Sequence, residues 1–179
     1  VPLTDGGEGF CEILTLGAQG VLHSIEVLDS VGSKQKVQYG ICDVEKLSPK
    51  VIKFLNLPSC GNLGIVEMAQ AAGLADLPEN KRNPWETSTF GVGQILKEVA
   101  GFGVDVILLG IGGSSTNDIG IGALNALGLS LKSHDNNEIS FPIPSVWKNV
   151  AGIDIDGLDS LPPIRIAYDV DNQFFGKTK

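Results

Sequence analysis

Apolar and polar residues along this chain follow two periods, and the switches between them outline its elements. Phe10, Ile13, Leu14 and Gly17 recur at helical spacing, which predicts a loop leading into a helix over 6–18. Residues 20–28 and Lys36 to Ile41 read as two strands, and Val31-Gly32-Ser33 between them makes a hairpin turn. Ser48-Pro49 opens a short helix through Phe54, and Asn56 to Gly64 reads as loop. Leu63 to Met68 is apolar enough for a strand, Ala69 to Gly73 for a helical turn closed by glycine, and Asp76 to Asn83 for a polar surface loop. A helix starts near Thr87, capped by a Ser or Thr, with Val92, Ile95, Leu96 and Val99 as its buried stripe.

The continuous apolar run from Val106 to Ile111 differs from every other segment. It predicts a strand covered on both faces. A helix from about Asp118 to Leu127 follows, with Ile119, Ala123, Leu124 and Leu127 on one face. Residues 129–141 form a small hairpin around Asp135-Asn136-Asn137, and 142–163 are proline-rich loop with one short strand near Ile153. Ile164 to Tyr168 is the last strand. Helices alternating with short apolar strands place the chain in the α/β class.

Between the covered strand and its helix lies Gly110-Ile111-Gly112-Gly113-Ser114-Ser115-Thr116-Asn117-Asp118. Glycines permit close backbone approach to a ligand, and the hydroxyl and amide side chains supply hydrogen-bonding groups. Asp118 is placed to cap the next helix or to hold a cation. Free N–H groups at a helix start attract an anion, so a phosphate or carboxylate site and an empty strand-to-helix turn both fit. Spacing excludes three familiar motifs. No Lys follows at the Walker A position, Ser115 stands at the third glycine of a dinucleotide fingerprint, and Thr116 replaces the last glycine of a hydrolase elbow.

Composition narrows the classes. The chain has 179 residues, 42% of them hydrophobic, enough for an ordinary core. A net charge of −8 without a basic cluster argues against nucleic acid and anionic membrane surfaces as partners. No apolar run is long enough to span a membrane. Cys11, Cys42 and Cys60 are scattered, which argues against zinc or a disulfide framework and predicts a reducing, cytoplasmic setting. His23 and His134 read as packing or surface residues. The ends, Val1-Pro2-Leu3 and Gly176-Lys177-Thr178-Lys179, resemble no natural terminus, so a piece of a longer protein is expected.

Four polar clusters fall in predicted loops: Asp5 with Glu8, Thr87 to Thr89, Ser114 to Asp118, and Asp169 with Asp171 and Asn172. In open α/β sheets ligands bind at the carboxyl ends of strands, where the last two clusters lie. Carboxylates there suit Mg²⁺, although solvated turn residues explain most such runs. Their order carries a resemblance: Asp5-Gly6-Gly7-Glu8-Gly9, Val66-Glu67-Met68-Ala69 with Gly73-Leu74, Asn83-Pro84 with Thr89-Phe90-Gly91-Val92-Gly93, Gly110 to Asp118, Ala126-Leu127-Gly128, and Asp169-Val170-Asp171-Asn172. Across nearly its whole length the chain resembles the glycerate kinase family that includes the bacterial glycerate 2-kinases, the type without a P-loop.

The resemblance implies an ATP-dependent kinase that phosphorylates D-glycerate with Mg²⁺. It implies a Rossmann-like α/β domain carrying an inserted second α/β domain, with the site in the cleft between them. Residues 1–28 would belong to the first domain and 29–179 to most of the second, both incomplete. On this reading Gly112, Gly113 and Ser114 cradle a phosphate or the glycerate carboxylate, with Gly6, Gly7, Thr116, Asn117, Asp118 and Asn172 around them. Asp5 and Asp169 are candidates for general base or metal ligand, with Asp171 and Glu8 behind them. Thr89 either hydrogen-bonds substrate or caps its helix. The chain departs from the pattern at Ser115, Ile119 and Gln173, and in a longer stretch between Tyr39 and Ile65. Isoleucine resists positive φ, so Ile119 threatens the local turn. A non-catalytic binding or regulatory module, or a dinucleotide-dependent Rossmann-like enzyme, are the alternatives.

Overall fold

The computed structural model describes residues 6–168. Helix α1 (Phe10–Gly17) leads into a hairpin of β1 (Val21–Leu28) and β2 (Lys34–Asp43). Then come α2 (Pro49–Leu55), β3 (Asn62–Glu67), α3 (Ala69–Ala72), α4 (Phe90–Gly101), β4 (Val106–Gly110), α5 (Ile121–Ala126), β5 (Ser130–Ser133), β6 (Val150–Asp154) and β7 (Ile164–Ala167). Five strands form one sheet in the order β1-β2-β3-β4-β7, and β5 pairs with β6 in a separate ribbon. β1, β2 and β3 run antiparallel in turn, whereas β3, β4 and β7 are parallel.

The apolar run at β4 has the expected cause. Val106 and Leu108 pack with Phe10, Cys11, Leu63 and Ile65 on the face covered by α1 and α2. Ile107 and Leu109 pack with Val66, Ile95, Leu96 and Val99 on the face covered by α3 and α4. A strand between two helical layers leaves no polar side, so period-two alternation disappears. The predicted stripe Val92, Ile95, Leu96 and Val99 is buried throughout. Ser48 caps α2 through Val51 N–H, as the Ser-Pro pair predicted. His23 stacks on Tyr39 at 5.3 Å, a packing role.

Some expectations change. Gly17 lies exposed, and Cys11 and Thr15 join Phe10 on the buried face of α1. Gly73 closes α3 in extended geometry at φ −77°, not as a left-handed cap. The helix expected from Asp118 begins at Ile121, and Ile119 and Leu124 of its predicted face are exposed. α5 approaches α4 through small residues instead. A Cβ on Gly93 would stand 2.7 Å from the Ala123 Cα, so backbone meets backbone where an apolar stripe was expected. Among the described residues no helix is long and apolar enough to cross a membrane.

Burial also governs the thiols. Desolvation pushes Cys11 up to about 12 and Cys42 up to about 11, whereas Cys60 is exposed. The thiolate is the reactive form. Of these three cysteines only Cys60 should therefore alkylate in native protein at pH 8, with Cys11 and Cys42 joining after denaturation, as read by peptide mass spectrometry. Raised folded-state values also mean that stability falls as pH climbs above 9.0, where the unfolded thiols begin to ionise first. Gly93→Ala should lower stability by about 1–3 kcal/mol in urea denaturation, because the added methyl must push α5 away from α4.

Candidate functional site

Three segments meet at the carboxyl end of the parallel strands. β4 and β7 end level, with Gly110 paired to Ala167. Ile111 N–H donates to the Ala167 carbonyl at 3.1 Å, and Gly112 N–H donates to the Gly6 carbonyl at 2.9 Å. The 6–9 loop thus lies against the start of the glycine-rich loop. A Cβ on Gly110 would stand 2.7 Å from the Gly6 carbonyl oxygen, and one on Gly112 would stand 2.7 Å from Gly7 N. No side chain fits at either position, which accounts for two of the three glycines without invoking a ligand.

The loop is then laced to its neighbours. Leu74 N–H donates to the Gly113 carbonyl, and both Ser115 N–H and Ser115 Oγ donate to the Ala72 carbonyl. Thr116 Oγ1 donates to the Thr87 carbonyl, and Thr87 Oγ1 to the Ser115 carbonyl. Gly113, Ser114 and Asn117 remain exposed on this anchored frame. The N–H groups of Gly113 and Ser114 take no partner among the described residues. They form the part of the loop that can receive an anion.

Asp118 points the other way. It is 1% exposed and accepts four hydrogen bonds: from Thr89 N–H and Oγ1, and from Gly120 and Gly122 N–H. Thr89 has no side-chain cap on its own helix, and its Oγ1 accepts from Ala123 N–H instead. Asp118 and Thr89 therefore occupy the N–H donors at the start of α5 that a free helix terminus would offer an anion. This corrects the helix-start reading of the loop. Both residues are positioning groups that join α4 to α5 beneath the loop. The turn they hold is strained, since Ile119 adopts φ +49°. Ile119 adopts this left-handed conformation despite its β-branched side chain.

A second buried carboxylate went unassigned in the sequence. Glu67, at the end of β3, is 3% exposed and accepts from Gly9 N–H at 3.2 Å and Cys11 N–H at 3.0 Å. It caps α1, whose N-cap Gly9 has no side chain. The signal was a lone acid closing an apolar run. Of the other predicted residues, Gly6 and Gly7 are buried under the loop and Glu8 is exposed. Asp5, Asp169, Asp171 and Asn172 lie outside the described residues. No group of three metal-ligating side chains gathers among the described residues. Glu67 and Asp118 are engaged by protein donors and do not suit Mg²⁺.

Glu67→Ala leaves the buried Cys11 N–H and the part-buried Gly9 N–H without acceptors, and a buried unpaired group costs about 1–3 kcal/mol. The expected result is a loss of at least about 2 kcal/mol by urea denaturation, with α1 as the first element to exchange its amides.

The model of the glycerate kinase family matches residues 1–179. A glycerate kinase of Haemophilus influenzae is 36% identical over 99% of this chain and 43% of its own length. A glycerate 2-kinase of Escherichia coli K12 is 35% identical over 98% of this chain and 42% of its own. The crystal structure of a glycerate kinase 2 from Salmonella typhimurium LT2 superposes with a TM-score of 0.77 at 34% identity, covering 98% of this chain and 44% of that one. The chain thus spans less than half the length of these relatives. With the family model matched over its full length, the chain belongs to the glycerate kinase family.

Proposed function

We propose that this chain supplies part of the active site of an ATP-dependent kinase that phosphorylates D-glycerate to phosphoglycerate with Mg²⁺. The observation that carries the reading is the meeting of the 6–9 loop, the 110–118 loop and the end of β7 at one end of the sheet. Family membership and relatives named glycerate kinase support it.

Phosphoryl transfer to an alcohol needs positioning and charge compensation more than covalent chemistry. Gly112, Gly113 and Ser114 are assigned to cradle a phosphate or the substrate carboxylate, with Thr116 and Asn117 at the rim. Gly6 and Gly7 hold the loop from below, and Thr89 and Asp118 fix its far end. Asp5 or Asp169 is assigned as the base that takes the hydroxyl proton, with Glu8, Asp171 and Asn172 alongside. Asp169 and Asp171 are the assigned holders of Mg²⁺, which would offset charge on the transferring phosphate when bound.

The test is a coupled assay on the complete reading frame, following glycerate-dependent ADP release. Turnover is expected, and Asp169→Asn should reduce it by at least about 100-fold. Unchanged turnover removes Asp169 from the base or metal role. Binding of glycerate without turnover in the complete protein would favour a regulatory module.

A further inference from the structure

β1 is the border strand of the five-stranded sheet, on the opposite side from β7. Its backbone groups alternate between two directions. Asp29 N–H donates to the Ser33 carbonyl across the hairpin, whereas Leu28 N–H turns away and donates to Gln94 Oε1 of α4. The pairing with β2 runs from Val21↔Ile41 to Leu28↔Lys34 without a register shift. Leu22, Ser24 and Glu26 therefore direct N–H and C=O the same way as Leu28, out of the sheet. Gln38, opposite Ser24, agrees: its N–H turns from β1 and donates to Gln70 Oε1. Among the described residues, the N–H groups of Leu22, Ser24 and Glu26 take no partner.

α4 closes only one end of this edge. Gln94 occupies the Leu28 N–H, and a Cβ on Gly91 would collide with the Leu28 carbonyl, so no further strand fits there. Over 22–26 the edge is open. The devices that normally blunt an edge are missing: β1 has eight residues, no proline and no bulge. Glu26, its one carboxylate, is matched by Lys34 Nζ at 2.7 Å. A recess of about 500 Å³ runs beside the strand, bordered by Ile25, Gln94, Glu98 and Phe102. Val21, on the same face of the strand as Ile25, is 59% exposed, and Phe102 is 50% exposed.

We propose that this edge pairs, antiparallel, with the same edge of a second copy of this chain. The edge itself selects the occupant. Only an extended backbone satisfies N–H and C=O groups that repeat every second residue. β1 is such a strand, and a two-fold axis makes the patch its own complement. With the axis at Ser24, Ser24 faces its counterpart and Leu22 faces Glu26 of the second copy, so each open residue meets an open residue. An axis at Leu22 or His23 draws in Gly20, whose N–H already donates to the Thr15 carbonyl. An axis at Ile25 or Glu26 draws in Leu28, which α4 has closed. In the Ser24 register the two Glu26 residues stand roughly 13 Å apart along the strands. That exceeds the screening length of about 8 Å at physiological salt, so they do not oppose the pairing. The exposed Val21 of each copy comes to lie across from Val27 of the other, and Ile25 across from His23, with the recess leaving room beside them.

The experiment is sedimentation of the complete protein over a concentration series, with hydrogen exchange on the same samples. A dimer with a micromolar Kd is expected, its Leu22, Ser24 and Glu26 amides protected when paired and exchanging freely on dilution. Ser24→Pro removes a donor that β2 does not use, and Ser24→Lys sets two ammonium groups face to face. Each should weaken the dimer at least about tenfold, whereas Ser24→Thr keeps it. Ser24 is exposed, so the fold survives these changes, and a wild-type far-UV circular dichroism spectrum checks this. Wild-type protein that stays monomeric at about 100 µM would overturn the pairing. So would a dimer that neither Ser24→Pro nor Ser24→Lys weakens, or edge amides protected equally at every dilution, which would mean that another part of the same protein covers β1.

Discussion

The site end of this molecule depends on one contact between backbones. Gly112 donates to the Gly6 carbonyl while Gly110 and Gly112 leave no room for a side chain between the two loops. The 6–9 loop can enter only because these positions carry no Cβ. Once it is seated, α1 starts at Phe10 in a fixed direction, with Glu67 accepting from its first N–H groups. The same contact holds the glycine-rich loop level with the end of β7. Residues separated by about 100 positions become neighbours through main chain, not through side-chain chemistry.

The two buried carboxylates illustrate how easily charge is misread at such a place. An acid near a glycine loop invites assignment as a metal ligand or base. Glu67 and Asp118 instead spend their acceptor capacity on N–H donors of the protein. Their burial is tolerable because protein N–H and O–H donors replace the water that the carboxylates lose. Each joins separate elements: β3 to the start of α1, and α4 to the start of α5.

Much of this fold was legible because it rests on periodicity. The run Val106 to Ile111 announced a strand covered twice, and Val92 to Val99 a helix with one buried stripe. The face predicted for the helix after the loop was half legible: Leu127 is buried and Ala123 meets Gly93, whereas Ile119 and Leu124 are exposed and Gly122 packs in their place. Apolar periodicity measures side-chain burial and is silent where backbone packs on backbone. Likewise the loop was legible as glycine-rich and polar, but not which glycines serve packing and which face outward. Asp118 was legible as an acid beside a helix start; that its partners would include Thr89, 29 residues away, was not. Long-range hydrogen bonds leave no spacing rule in a sequence.

Charge sets the remaining condition on any anion held here. The chain carries a net −8, and the segment from Gly110 to Asp118 contains no Lys or Arg. Backbone N–H groups such as those of Gly113 and Ser114 contribute only partial positive charge. The donors at the start of α5, the other local source, are already matched to Asp118 and Thr89. A phosphate at this loop is therefore oriented by the protein more than it is neutralised by it. In the proposed reaction that compensation falls to Mg²⁺ or to basic groups outside this segment.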